Sequence, residues 1–269
     1  MFESFWHTFL GRPYPLSKRF DEGQGIPVVL LHGIGRSGEA WRPLETRLHG
    51  GPYRVVAFDL LGFGESPKPD WPSYDIDVHA TAVIAAIKRA RFRKPVVLIG
   101  HSLGSLVALR VARLRPDLVR HLMLYEMPLY DGLPEKRRYQ ARLAFYFTFY
   151  QWVIKRKPSF GEAKKRFYER IGSKLAGLDL TPENWQPFVK TLENSIMKQT
   201  AASDIKHLKM AADVIYGSRD MLVIRGKVAT IFGEDTSHIT AHTIKENHRI
   251  TPQAADFLAE RLHAHITKS

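Results

Sequence analysis

Four apolar runs rich in β-branched residues punctuate the first half of the chain: Ile26–Leu31, Tyr53–Phe58, Pro95–Ile99 and Val119–Tyr125. Each is apolar at consecutive positions, the pattern of a strand buried on both faces. Asp213–Tyr216 and His238–Ile244 extend the series after a long gap. Between the runs, Glu39–Leu48, Asp75–Ala90, Leu103–Leu114, Leu222–Ile231 and Pro252–His263 repeat apolar residues at the spacing of amphipathic helices. Strands alternating with helices predict the α/β class, a mostly parallel sheet with helices on both faces. The first 25 residues leave room for one edge strand, around Leu16–Asp21.

Residues 129–205 break the rhythm. They read as about three helices without a strand, and Thr181-Pro182-Glu183 is a helix start with proline in the first turn. This predicts a helical lid over 129–205, inserted into a core made of residues 1–128 and 206–269. At 269 residues the chain fits one domain, and its 44% hydrophobic and 25% charged residues are ordinary for a globular fold.

Cysteine is absent, which excludes disulfides, thiol chemistry and cysteine-ligated metals. The N-terminus lacks a basic start followed by an apolar stretch, and no apolar run reaches membrane-spanning length, so a cytoplasmic location is expected. The formal charge of +13 favours anionic partners, but no nucleic-acid-binding signature accompanies it and none is expected. The lid is the most basic stretch, with 14 Lys and Arg against 8 Asp and Glu, clustered at Lys136–Arg138, Lys155–Lys157 and Lys164–Arg166. A solvated helix face explains such clusters; attraction of an anionic carrier or membrane surface is the sharper reading. Phe2, Phe5, Trp6, Phe9 and Leu10 form a short amphipathic stretch expected to dock on the body of the protein.

Gly100-His101-Ser102-Leu103-Gly104 follows a predicted strand and opens a predicted helix. In that context a G-x-S-x-G motif is a nucleophile elbow: the sharp turn needs small residues two places either side of the serine and lifts its oxygen above the sheet. His32-Gly33-Ile34-Gly35 ends the strand Ile26–Leu31, where a second loop can supply a backbone donor. The oxyanion-hole N–H groups are expected from Ile34 and Leu103, with His32 structural.

Together with Asp59–Ser66, Tyr216–Asp220 and His248, these motifs make the chain resemble the α/β-hydrolase superfamily over nearly its whole length, most clearly at 26–128 and 211–263. The resemblance implies the order nucleophile, acid, histidine. It places the histidine at His248, in the loop after the last strand, and leaves His238 and His242 structural. It puts the acid at Asp220, with Glu126 as the competing position after the preceding strand. A serine nucleophile separates the chain from the epoxide hydrolases and haloalkane dehalogenases of this superfamily, which use aspartate. It implies an acyl-enzyme, with hydrolysis of a small or medium carboxylic ester as the default. Perhydrolysis and carbon–carbon bond hydrolysis use the same groups, and a triad-bearing small-ligand receptor with little turnover is the rival from another class. No metal or organic cofactor is implied. The aromatic stretch 139–154 points to Phe145, Phe149 and Trp152 as linings of an apolar acyl pocket.

Overall fold

The computed structural model describes residues 5–7, 9, 11–129, 148–156, 159–171, 178–220, 223 and 238–266. Seven strands form one sheet: β1 (Lys18–Gly23), β2 (Ile26–Leu31), β3 (Tyr53–Phe58), β4 (Val96–His101), β5 (Val119–Tyr125), β6 (Ala212–Gly217) and β7 (Ile239–Ile244). Their spatial order is β1-β3-β2-β4-β5-β6-β7. β1 runs antiparallel to β3 and every other pairing is parallel. The α/β fold class follows as expected, and the β2, β3 and β5 runs coincide with their predicted limits. β4 continues two residues past its predicted end, because Gly100 and His101 stay in register with Leu124 and Tyr125 of β5.

Six helices are labelled in the core and insertion around this sheet: α1 (Arg42–Leu48), α2 (Ile76–Arg89), α3 (Leu103–Leu114), α4 (Phe160–Ile171), α5 (Pro182–Thr191) and α6 (Ala201–Lys206). A last helix, α7 (Pro252–Ile266), closes the chain's described part. The helix expected over Glu39–Leu48 is split into a 3-10 turn, Gly38–Trp41, and α1. Pro43 in the first turn of α1 has no N–H to carry the preceding turn onward. Asp75 caps α2 by accepting the Val78 N–H. The predicted helix Leu222–Ile231 lies outside the described residues apart from Val223.

Alternate residues of the strands feed two cores. Val29, Leu31, Val56, Phe58 and Leu98 pack with α2, α3 and the insertion, whereas Val28, Leu30, Val55, Val97 and Ile99 pack with α1 and α7. Consecutive apolar residues were therefore the correct sign of a sheet covered on both faces.

Between β5 and β6 the described residues are helical throughout their regular parts: 148–156, α4, α5, a π-helical turn at Leu192–Ile196, and α6. Thr181 and Asn184 form a reciprocal cap at the start of α5, where the Thr-Pro pair predicted a helix. This insertion is tied to the core by polar contacts. Asn194 donates to the Ser73 carbonyl at 2.8 Å, Ser195 Oγ to the Tyr74 carbonyl at 2.8 Å, and Arg110 bridges Asp77 and Asp204. The Asp179 N–H reaches the Gly35 carbonyl at 2.6 Å, so the insertion touches the loop after β2.

The N-terminal aromatics depart from expectation. Phe5, Trp6 and Phe9 are 51%, 47% and 79% exposed rather than docked, while Phe2 and Leu10 lie outside the described residues. His7 stacks on Tyr14, whose hydroxyl accepts from Trp71 Nε1, so the backbone is anchored while the rings remain in solvent. Among the described residues no helix is long and apolar enough to cross a membrane.

Candidate active site

Ser102 sits between β4 and α3 with φ 52° and ψ −116°, a conformation costly for a residue with a side chain. The surroundings hold it there. A Cβ on Gly100 would come within 2.3 Å of the Gly104 carbonyl oxygen, and one on Gly104 within 2.2 Å of the Leu31 oxygen. Only glycine fits either place, which is the physical content of the motif. Ser105 Oγ donates to both the Gly100 and Tyr125 carbonyls, at 2.6 and 3.0 Å, and the Ser102 N–H donates to the Tyr125 carbonyl at 3.0 Å.

His248 reaches Ser102 from the loop after β7. With its proton on Nδ1, the ring donates to Asp220 Oδ2 at 2.7 Å and accepts from Ser102 Oγ–H at Nε2 across 3.0 Å. Asp220 stands on the turn after β6, its side chain fully buried. The three residues named for these roles in the sequence are thus brought together in one hydrogen-bonded chain.

The loop after β2 passes directly beside the serine. A Cβ on Gly33 would lie 3.2 Å from Ser102 Cβ and 3.0 Å from His101 Nδ1. Neither the Ile34 nor the Leu103 N–H has an acceptor among the described residues. His32 donates from Nδ1 to the Gly33 carbonyl and accepts the Leu60 N–H at Nε2, shaping the loop from behind. Burial lowers its pKa to about 4, so it is neutral at pH 7. Asp59 braces the neighbouring turn by accepting from Gly38 N, Glu65 N and Arg19.

Three supporting side chains escaped the sequence reading in these roles. His101 donates from Nε2 to the His248 carbonyl at 3.0 Å; burial, with His248 and Arg36 adding to it, holds its pKa well below the ordinary value. Tyr125 Oη donates toward the Asn247 and Arg249 carbonyls, at 3.2 and 2.9 Å, gripping the same loop from β5. Glu126 accepts the Gly217 N–H at 2.6 Å and so fixes the end of β6, from which Asp220 follows. His101 fills the variable place beside the serine in the motif, and Tyr125 and Glu126 end a strand; those positions were the available signal.

Glu126, Asp220 and His248 offer donor atoms within 4.8 Å of one another. Asp220 and His248 are already hydrogen-bonded in series with Ser102, a use that needs no ion. Of the expected pocket residues, Phe149 is buried in the core beside Val153 and stacks with half-buried Trp152 at 6.0 Å. Phe145 lies outside the described residues. Arg36, next to Gly35, is half-buried and makes no hydrogen bond or ion pair with any described residue. Burial lowers its pKa, with the Arg249 charge adding to the effect.

Comparison with known proteins follows the same lines. The profile of the Alpha/beta hydrolase family matches residues 28–265. (E)-2-((N-methylformamido)methylene)succinate hydrolase of Acinetobacter baylyi is 36% identical over 127 residues, 46% of this chain and 44% of that protein. 2-hydroxy-6-oxo-2,4-heptadienoate hydrolase of Pseudomonas putida is 26% identical over 76% of this chain and 75% of its own length. The chain spans less than half the length of the first curated relatives it matches. In three dimensions an esterase from Exiguobacterium antarcticum superposes with a TM-score of 0.71 at 18% identity, covering 92% of this chain and 94% of its own. At that identity the likeness speaks for the fold.

Proposed function

Because the chain belongs to the Alpha/beta hydrolase family, we propose that it is a serine hydrolase that cleaves a small or medium carboxylic ester through an acyl-enzyme. The observation that carries this reading is the continuous chain Ser102–His248–Asp220, with bonds of 3.0 and 2.7 Å and the serine held at φ 52°.

In this mechanism Ser102 Oγ attacks the ester carbonyl as its proton passes to His248 Nε2. Asp220 keeps the histidine in the correct tautomer and stabilises the imidazolium that forms. The Ile34 and Leu103 N–H groups meet the negative oxygen of the tetrahedral intermediate; both lack other acceptors among the described residues. Collapse breaks the ester C–O bond, and His248 returns the proton to the leaving alkoxide. Water, deprotonated by the same histidine, then releases the acid and restores Ser102. The helical insertion serves as the lid over the acyl group.

A second reading, carbon–carbon bond hydrolysis of an anionic substrate, draws on the name of one relative, an oxo-dienoate hydrolase; the methylenesuccinate hydrolase shares with it a carboxylate substrate. Arg36 favours it. A half-buried guanidinium is costly unless an anion completes it, and this one, with no counter-charge among the described residues, stands in the loop that passes Ser102. The test is turnover of a chromogenic ester series beside a 2-hydroxy-6-oxo-dienoate. Multiple turnovers on esters support the first reading, and preference for the dienoate supports the second. A single acyl-enzyme burst without turnover would overturn both in favour of a ligand-binding protein.

A further inference from the structure

Behind His248 lies a second buried carboxyl that the mechanism above does not use. Glu126 is fully buried, and its carboxyl oxygen lies within 4.8 Å of both an Asp220 carboxyl oxygen and a His248 ring nitrogen. Its placement is closely determined. The backbone takes φ 51°, its N–H donates to the Ile215 carbonyl at 2.9 Å, and Oε1 accepts the Gly217 N–H at 2.6 Å. A Cβ on Gly217 would come 2.4 Å from Glu126 Oε1, so the strand end carries a glycine where the carboxyl presses against it. A strained, buried acid gripping the strand that delivers Asp220 is a large commitment for mere filling.

Two carboxyls this close in a buried site do not both ionise readily, because each negative charge opposes the other and burial opposes both. Asp220 accepts from His248 Nδ1 and, at 3.3 Å, from the Val223 N–H, and its histidine partner becomes a cation during the reaction; these favour the anion on Asp220. We propose that Glu126 is a positioning residue for the His248–Asp220 pair, the two carboxyls sharing one negative charge with the proton resting on Glu126 at neutral pH. The inference rests on the serine-hydrolase reading for its functional consequence but not for the proton itself.

Among the described residues, the groups facing the pair offer few other sites for that charge. Burial pushes Tyr125 of β5 and Tyr216 of β6 above the ordinary phenol range, so both stay neutral. His101 of β4 is kept neutral by burial. Glu246, in the loop that carries His248, is half-buried and hydrogen-bonded to Thr251 at 2.8 Å. A neutral Glu126 lets Asp220 stay bound to His248 without repulsion from behind. Its ionisation at higher pH adds a second negative charge to the cluster and perturbs the Asp220–His248 bond.

The test is carboxyl-carbon NMR of the full chain labelled with 13C at the glutamate side-chain carboxyl. One glutamate should remain protonated at about pH 7, far above the ordinary value of about 4.3. That signal should be absent from Glu126→Gln, and in Asp220→Asn it should titrate at lower pH because its charged neighbour is gone. In kcat/KM against pH, the wild type should show one ionisation that Glu126→Gln lacks. If every glutamate of the wild type titrates near the ordinary value, the shared proton is refuted, even where Glu126→Gln does not fold. A titration unmoved by Asp220→Asn refutes the coupling, and identical pH profiles refute the positioning role. The NMR readout needs no turnover, so its failure is distinct from failure of the hydrolase reading.

Discussion

Two aspartates of one chain segment, Asp213 and Asp220, each hold histidine, and the contrast between them shows what makes such a pair a catalytic candidate. Asp213, within β6, accepts from His121 of β5 at 2.8 Å, from His242 of β7 at 2.5 Å and from Arg261 of α7 at 3.2 Å. His265 of α7 stacks on His121 at 3.6 Å. Burial would raise the Asp213 pKa, but these donors outweigh it and bring it down to about 2. Asp220, by contrast, follows the C-terminal end of β6, where the histidine it orients faces a strained serine. Four residues of strand, about 13 Å, separate Asp213 from the end of β6. The first cluster stitches three strands to a helix, and the second ends at a nucleophile. Chemistry follows from place in the fold, since residue type and distance are nearly the same in both.

This comparison can be broken by exchanging the expected effects. Asp220→Asn should lower kcat by ~10⁴-fold, equivalent to about 5.5 kcal/mol of transition-state stabilisation, with the fold retained. Steady-state kinetics and circular dichroism check this. If Glu126→Gln produced that loss and Asp220→Asn did not, the acid would belong at the end of β5.

Asp213→Asn should show the reverse profile. Removing one member of a buried ionic network costs about 3 kcal/mol, read from urea denaturation, while the remaining folded protein keeps kcat within a few-fold. A ~10⁴-fold loss of kcat without destabilisation would erase the distinction between the two aspartates.

Acid should separate them further. Burial lowers the pKa of His32 and of His79 to about 4 from 6.5, so each favours the fold in its neutral form. That stability is present above pH 6.5 and is lost as pH falls through about 4. The loss is on the order of 1 kcal/mol or more per histidine at about pH 5. Asp213 then loses its contribution as pH falls from 3.8 through about 2. Melting temperatures measured down the pH scale should fall in this sequence; a flat profile between neutrality and pH 4 would contradict it.

The smallest effect belongs to the basic insertion. Lys155→Glu with Arg156→Glu should lower kcat/KM for an anionic ester by less than about fivefold, and added salt should abolish the difference. An equal response of neutral and anionic esters would leave these charges a solvated face.

The sequence made the sheet and its site legible for a physical reason. Strands buried on both faces must be continuously apolar, and the elbow around Ser102 admits only glycine at positions 100 and 104. His248 and Asp220 became readable through chain order and their places in turns after strands, whereas His242 and Asp213 lie within strands. The grips of His101, Tyr125 and Glu126 were not legible as such. They act across β4, β5 and the loops after β6 and β7, contacts that join residues as much as 147 positions apart. The exposed rings of Phe5, Trp6 and Phe9 were misjudged for a related reason: an apolar face predicts that something covers it, not what.

The central claim, that Ser102 is the nucleophile served by His248 and Asp220, is tested most directly by labelling with an organophosphonate and mapping the modified peptide. One modified serine is expected, Ser102, with labelling lost in Ser102→Ala and strongly slowed in His248→Ala. Modification at another serine, or full esterase activity persisting in Ser102→Ala, would contradict it.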